Sequence, residues 1–113
     1  ETGRADVGST KISGVGGYFL GNSILINDRI VIGRDPKTCQ LIFPNATPGV
    51  SALHCEIRNV SGHLELIDRG STYGTYFADG RRLEVNQSYV LKNGDVFYLG
   101  APGNKFKVGE NHE

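Results

Sequence analysis

The sequence has no excess of charge of either sign, and this absence argues against one broad class of function. Its 113 residues include 12 lysines and arginines and 12 aspartates and glutamates. Proteins that bind duplex nucleic acid neutralise phosphates and normally carry a basic excess. We therefore expect no nucleic-acid partner. Any anion site must be local, built from one or two arginines and oriented backbone groups.

Cysteines and long apolar runs are also scarce. Cys39 and Cys55 are the only cysteines, too few for a disulfide scaffold, so we expect two reduced and partly buried thiols. No apolar run approaches the roughly 18 residues that cross a bilayer, and no secretory leader is recognisable. We expect no direct membrane insertion. A zinc site would need more ligands than the scattered cysteines and His54, His63 and His112 can provide, so no metal or other cofactor is expected.

Sixteen glycines punctuate the chain and favour short strands joined by tight turns. Within 50–61, the longest stretch without an internal glycine or proline that could be helical, Leu53, Cys55 and Ile57 alternate with polar residues. This period of two predicts a strand. The turn at Ser61-Gly62 predicts a hairpin, as do Asp79-Gly80 and Asn93-Gly94.

The remaining short β-type segments complete an all-β pattern. We predict a sandwich of two twisted antiparallel sheets with about eleven short strands and very little helix. The domain is expected to span 11–108, with a flexible terminus at 1–10 and a flexible tail at 109–113. The further predicted strands are Ser23–Ile26, Arg29–Gly33, Leu41–Phe43, Thr75–Phe77, Tyr89–Leu91, Val96–Leu99 and Lys105–Val108.

Three loops contain residue types that a sandwich does not need. Gly33-Arg34-Asp35-Pro36 places a guanidinium, whose planar fork matches phosphate, directly after an apolar strand. The segment 48–54 presents Ser51 and nearby backbone amides before the next strand. The segment 68–75 frames three hydroxyl side chains between two glycines. Each loop alone also fits an ordinary surface arginine or a self-satisfied turn.

The order and spacing of the three loops together resemble the signature of the forkhead-associated (FHA) domain family. The resemblance rests on Gly33-Arg34, on Ser51-x-x-His54 and on Gly70-Ser71-Thr72-x-Gly74-Thr75. Asn93-Gly94-Asp95-Val96 with Leu99-Gly100 is similar to the last hairpin of that family. The resemblance covers about Gly17 to Val108 and implies an FHA-type sandwich whose loops hold a ligand at one end.

The resemblance also implies a ligand and a set of contacts. Arg34, Ser51 and Thr72 would surround the phosphate of a phosphothreonine on a protein partner, helped by a backbone amide such as that of Ala52. A phosphate offers three strong acceptor oxygens, so these donors would suffice without a basic face. The residues that would support the loops are Gly33, His54, Gly74 and Asp68.

The sequence departs from the family at two positions. Tyr73 stands where the family commonly has an asparagine that bonds the ligand backbone, and Ala52 stands where it often has arginine or asparagine. Each lost neutral hydrogen bond would cost about 0.5–1.5 kcal/mol. Phosphate capture is therefore the firmer expectation, while Tyr73 and Ala52 are expected as peptide-contacting positions.

Two other functions compete with this interpretation. His54 beside Cys55 suggests a thiol nucleophile and its base, but adjacent strand residues face opposite ways, which disfavours an enzyme. Alternatively the domain is an FHA-like scaffold with weak or no phosphate dependence. For a phosphothreonine-binding module we expect a cytoplasmic location, because its ligand requires a kinase, and a monomer.

Overall fold

A computed structural model of the protein describes residues 10–109, which contain ten β-strands and no helix. The strands are short, and glycines with positive φ occupy most of the turns between them. The strands are β1 (Lys11–Gly16), β2 (Ser23–Leu25), β3 (Arg29–Gly33), β4 (Leu41–Ile42), β5 (Cys55–Val60), β6 (His63–Asp68), β7 (Thr75–Phe77), β8 (Ser88–Leu91), β9 (Val96–Leu99) and β10 (Lys105–Val108).

The strands form two sheets of five, which confirms the predicted all-β fold with two sheets. The first sheet has the order β2-β1-β10-β9-β7, and the second has the order β4-β3-β5-β6-β8. Every neighbouring pair is antiparallel except β3 and β4, which run parallel with Ile32 opposite Leu41. The expectation of purely antiparallel sheets is therefore wrong at this edge, because the loop between β3 and β4 crosses over instead of folding back.

The prediction missed β1 and counted about eleven strands, whereas residues 10–109 contain ten. Two glycines in β1 lower its apparent strand propensity. Gly14 is nevertheless required, since a Cβ there would lie 1.9 Å from the carbonyl oxygen of Phe19. A β-bulge also interrupts the pairing of β1 with β10 between Gly14 and Gly16.

Two of the three predicted hairpins are confirmed and one is wrong. Ser61-Gly62 joins β5 to β6. Across the turn at Asp79-Gly80, the amide of Phe77 donates to the carbonyl of Arg81 at 2.9 Å. Asn93-Gly94, by contrast, carries the chain from β8 in the second sheet to β9 in the first. The last hairpin is formed by β9 and β10. A turn dipeptide specifies a sharp reversal but not which strands pair across it.

The core lies between the two sheets and contains the alternate side chains of both. Cys55 and Ile57 point inward as the period of two predicts, while Arg58 is exposed. Aromatic rings connect the layers, with Phe43 lying edge-on to Phe106 at a centroid distance of 6.3 Å. Fully burying each large apolar side chain contributes roughly 1.5–3 kcal/mol. The core thus provides the rigid base from which the end loops project.

The predicted termini lie mostly outside the described residues, which exclude 1–9 and 110–113. Gly109, predicted as the start of the tail, is buried and donates its amide to the carbonyl of Lys11 at 2.8 Å. None of the secondary structure within 10–109 is a helix that could cross a bilayer.

Gly33 at the end of β3 offers a direct test of how closely the end loops pack. A Cβ at Gly33 would lie 2.2 Å from the carbonyl oxygen of Ala52, whereas a Cβ at Gly103 would meet nothing within 4 Å. We expect Gly33→Ala to lower the free energy of unfolding by about 1–3 kcal/mol, as overpacking does. Gly103→Ala is the matched control and should change it far less. Urea denaturation of both variants would measure this, and equal stabilities would contradict the predicted clash.

Candidate anion-binding site

Hydrogen bonds bring the three predicted loops together at one end of the sandwich. The amide of Arg34 donates to the carbonyls of Ser51 at 3.2 Å and Ala52 at 3.0 Å, which joins the first loop to the second. The amide of Thr72 donates to Ser51 Oγ at 3.0 Å, which joins the second loop to the third. Arg34, Ser51 and Thr72, far apart in the sequence, therefore share one surface.

The guanidinium of Arg34 is held in place by its own loop neighbours. Its Nε donates to the carbonyl of Val50 at 2.6 Å and its Nη1 donates to Asn45 Oδ1 at 3.2 Å. The side chain is only partly exposed, while Asn45 is exposed. The Arg34 side chain is therefore already ordered before a ligand binds, so binding costs less conformational entropy than it would for a freely moving arginine. Asn45 was not predicted as a site residue, because its contact depends on how the loop 43–49 folds back.

Several further hydrogen-bond donors at this end have no partner among residues 10–109. Ser51 Oγ accepts from Thr72, so its own proton is available for donation. The Thr72 hydroxyl and the Ala52 amide make no hydrogen bond in that range, and both residues are exposed. These three neutral donors and the guanidinium of Arg34 together form a site suited to binding an oxyanion.

His54 joins two of these loops from inside the fold. It is fully buried; its Nδ1 accepts from the Ser51 amide at 3.1 Å, and its Nε2 donates to the Gly74 carbonyl at 2.9 Å. These partners require the neutral ring with its proton on Nε2, because an amide can only donate and a carbonyl can only accept. Burial lowers the pKa of His54, which favours the same neutral form.

Asp68 shapes the third loop. Its carboxylate accepts from the amides of Gly70 and Ser71 at 2.8 and 3.0 Å, and from the hydroxyls of Ser71 and Thr75 at 2.6 and 2.7 Å. Burial alone would raise the pKa of Asp68, but these hydrogen bonds bring it below its usual value. Ser71 Oγ in turn accepts from the Gly74 amide at 3.0 Å. This role of Ser71 was missed, although the spacing Asp-x-x-Ser is typical of such local turns.

Tyr73 lies beside the donors and lines an open cavity of about 500 Å³. The side chain is largely exposed, at 62%. The following residue, Gly74, has a φ of 90°, and a Cβ there would lie 2.6 Å from Arg82 Nε, so only glycine fits. Ser51 and Thr72 do not line the cavity, so it adjoins the donors and extends away from them. Its lining residues are Arg34, Ala46, Thr47, Pro48, Gly49, Val50, Tyr73, Gly100 and Ala101.

Cys55 is placed where it cannot act with His54. Its side chain is fully buried in the core, and burial raises the pKa of the thiol well above its usual value. A reactive cysteine needs a lowered pKa and access to solvent. Both ring nitrogens of His54 are already bonded to backbone groups. The geometry therefore gives no support to a thiolate–imidazole pair.

Fold and site together define an all-β sandwich whose end loops present hydrogen-bond donors on one surface. A family model described as "FHA domain" matches residues 30–100, which is more than half of the chain. The chain therefore belongs to the FHA domain family, and FHA domains are binding modules.

Two relatives in sequence are much longer proteins. The probable serine/threonine-protein kinase fhkA of Dictyostelium discoideum is 38% identical over 68% of this chain and 14% of its own length. The meiosis-specific serine/threonine-protein kinase MEK1 of Saccharomyces cerevisiae is 34% identical over 75% of this chain and 18% of its own length. The chain thus spans less than a fifth of either kinase.

Solved structures of the MEK1 FHA domain are similar to the whole described fold. One is 28% identical with a TM-score of 0.73 and covers 91% of each chain. A second, of that domain in complex with the HOP1 pThr318 peptide, is 25% identical with a TM-score of 0.68 and covers 90% of this chain and 99% of that one.

The burial of neutral His54 predicts a pH dependence of stability. Because the pKa of His54 is lowered in the folded state, the unfolded chain binds a proton at a higher pH than the folded chain does. We expect the free energy of unfolding to fall as the pH drops below about 6.5, the ordinary pKa of histidine. Above that pH this contribution is constant.

The measurement is urea denaturation across pH 5 to 8, a range chosen around the ordinary histidine pKa of about 6.5, on the wild type and on His54→Gln. His54→Gln should have a lower free energy of unfolding than the wild type at every pH. That free energy should, however, fall less steeply below about pH 6.5, because the variant has no imidazole to protonate at this position. Parallel curves for the two proteins would show that His54 is not the titrating group.

Proposed function

We propose that this domain binds a threonine-phosphorylated segment of a protein partner at the Arg34, Ser51 and Thr72 surface. The observation that carries the proposal is that these three residues and the free Ala52 amide each supply a hydrogen-bond donor, and that direct hydrogen bonds join the loops that carry them. A structure of the MEK1 FHA domain, which is similar in fold and sequence, contains a pThr peptide.

The charges around the surface favour a doubly charged oxyanion. A phosphate carries about −1.5 to −2 charge at neutral pH and three strong acceptor oxygens. The two nearest loop acids compete little with it, because their oxygens bond their own turns. Asp68 is buried among four donors, and Asp35 accepts from the Lys37 amide and the Thr38 hydroxyl. Arg34 therefore acts as the main charge at the surface.

The cavity beside Arg34 would receive a side chain that flanks the phosphothreonine. Most of its lining is apolar or small, and Tyr73 adds an exposed ring on one side. Such a cavity gains from excluding water but offers a charged side chain no partner of opposite sign other than Arg34. We therefore propose an apolar flanking residue in the ligand.

A phosphate-independent docking scaffold is the second candidate function. Tyr73 favours it, since a bulky exposed ring stands where the family commonly supplies a backbone-binding asparagine. In either case the domain acts by binding and has no catalytic role, and we place it in the cytoplasm as a monomer.

Paired peptides decide between the two candidates. We expect a phosphothreonine peptide from a degenerate library to bind at least tenfold more tightly than its unphosphorylated form, measured by isothermal titration calorimetry. Arg34→Ala should weaken binding by at least about tenfold, since a charge-assisted contact contributes roughly 1.5–3 kcal/mol. Arg81→Ala, which removes an exposed arginine from the β7 turn, is the control and should bind like the wild type.

Equal affinity for the phosphorylated and unphosphorylated peptides would rule out the phosphothreonine function and leave the scaffold. A phosphoserine peptide should bind more weakly than the phosphothreonine peptide if the threonine methyl group is also recognised.

The cavity gives a separate prediction about flanking residues. In a phosphothreonine peptide scanned one position at a time, one flanking position should prefer leucine over aspartate by about 1–2 kcal/mol, which is less than full burial of an apolar side chain contributes because the cavity is open to solvent. Tyr73→Ala should reduce that preference while leaving phosphate dependence intact. If Tyr73→Ala binds the whole series like the wild type, the cavity does not take a flanking residue.

A further inference from the structure

A second charged cluster lies on the outer face of the second sheet, built around Glu56. Glu56 points away from the core, yet its side chain is 0% exposed because three arginines cover it. Its Oε2 accepts from Arg29 Nε at 3.2 Å and from Arg58 Nε at 2.6 Å, and its Oε1 accepts from Arg69 Nη1. We call Arg29, Arg58, Arg69 and Glu56 the arginine cluster.

The arginine cluster retains positive charge. Burial would raise the pKa of Glu56, but hydrogen bonds from Arg58 and Arg69 and the charge of Arg29 bring it below its usual value, so Glu56 is ionised. One carboxylate thus faces three guanidinium groups. The next acid, Glu65, lies opposite Arg58 and already accepts from the Ser88 hydroxyl at 2.5 Å. Even with Glu65 included, the cations exceed the acids by one.

The fold alone does not require this arrangement. Arg29 and Arg58 lie directly opposite each other on antiparallel strands β3 and β5, a pairing of like charges that is destabilising in itself. Both side chains remain about half exposed, at 51% and 50%. Their contacts to Glu56 use Nε, and their Nη groups make no hydrogen bond within residues 10–109. Glu56 therefore orients two guanidinium forks and leaves their terminal donors available.

Exposed apolar side chains surround the arginine cluster on the same face. Val60 follows Arg58 on β5, Val90 lies opposite Glu65, and Ile42 lies beside Gly33 at the edge strand. Their exposures are 38%, 55% and 39%. Arginine together with exposed apolar residues is typical of surfaces that bind proteins. A nucleic-acid backbone is polar and charged and would not bury these apolar side chains, so the composition of the face favours a polypeptide.

We propose that the outer face of the second sheet docks an acidic segment of a protein partner, whose carboxylates bind the Nη groups of Arg29 and Arg58. This surface is separate from the end loops and its function does not depend on the phosphate site. It is nevertheless close to them, because the Arg69 amide bonds the His54 carbonyl at 3.0 Å. A phosphorylated partner can therefore engage both surfaces at once and gain avidity.

The test uses the whole chain and two synthetic peptides, one alternating glutamate with valine and one with glutamine in place of glutamate. We expect the glutamate peptide to bind and Arg29→Gln with Arg58→Gln to weaken it at least about fivefold, as two partly exposed ion pairs would. Lys105→Gln with Lys107→Gln removes the same charge from β10 in the first sheet and should bind like the wild type. Calorimetry at low salt measures each affinity.

Four results would overturn the proposal: equal losses in both double variants, an unchanged affinity in the arginine variant, equal binding of the glutamine peptide, or tighter binding of a DNA duplex. Side-chain NMR of the wild type guards against misfolded variants, because the Arg29 and Arg58 NH signals must shift on peptide addition. Affinity for a phosphothreonine peptide, measured in parallel, should be unchanged in both double variants, which separates this proposal from the phosphate site.

Discussion

The end loops depend on the contact that the buried imidazole of His54 makes with two of them at once. One nitrogen accepts from Ser51 and the other donates to Gly74, so the ring sets the separation of the second and third loops. A lysine or glutamine could not replace it easily, because the two bonds need an acceptor and a donor on opposite sides of a short rigid group. Because the ring is fully buried, no water competes for either bond. This contact therefore sets the spacing of the donors that face solvent, the hydroxyls of Ser51 and Thr72.

Two buried carboxylates illustrate how different partners give a charge different roles. Asp68 is held by neutral donors of its own loop, which stabilise its negative charge without cancelling it, so its role is to organise a turn. Glu56 is surrounded by three arginines, so it leaves excess positive charge on the sheet surface. Both carboxylates have lowered pKa values despite burial. A neutral chain can therefore present local positive sites without a basic face.

Much of the fold followed from local pattern, and the errors have identifiable causes. The period of two around Cys55 and the turn at Ser61-Gly62 correctly predicted β5, β6 and their hairpin. The hairpin predicted at Asn93-Gly94 was wrong, because the turn reverses the chain without pairing the strands on either side of it. Those strands, β8 and β9, belong to different sheets. β1 was missed because its glycines serve close backbone contact, as Gly14 does against Phe19, and such contact leaves no local signature.

The all-β class, the family and the loops that carry polar donors could be predicted from the sequence, since alternation, turn residues and motif order are local properties of a chain. Three features needed the folded structure: Thr72 bonds Ser51, Asn45 holds Arg34, and three arginines converge on Glu56. Apart from Arg58, which lies two residues from Glu56 on β5, these contacts join residues from different strands and loops. Their geometry is set by how the two sheets pack and twist, and not by spacing along the chain.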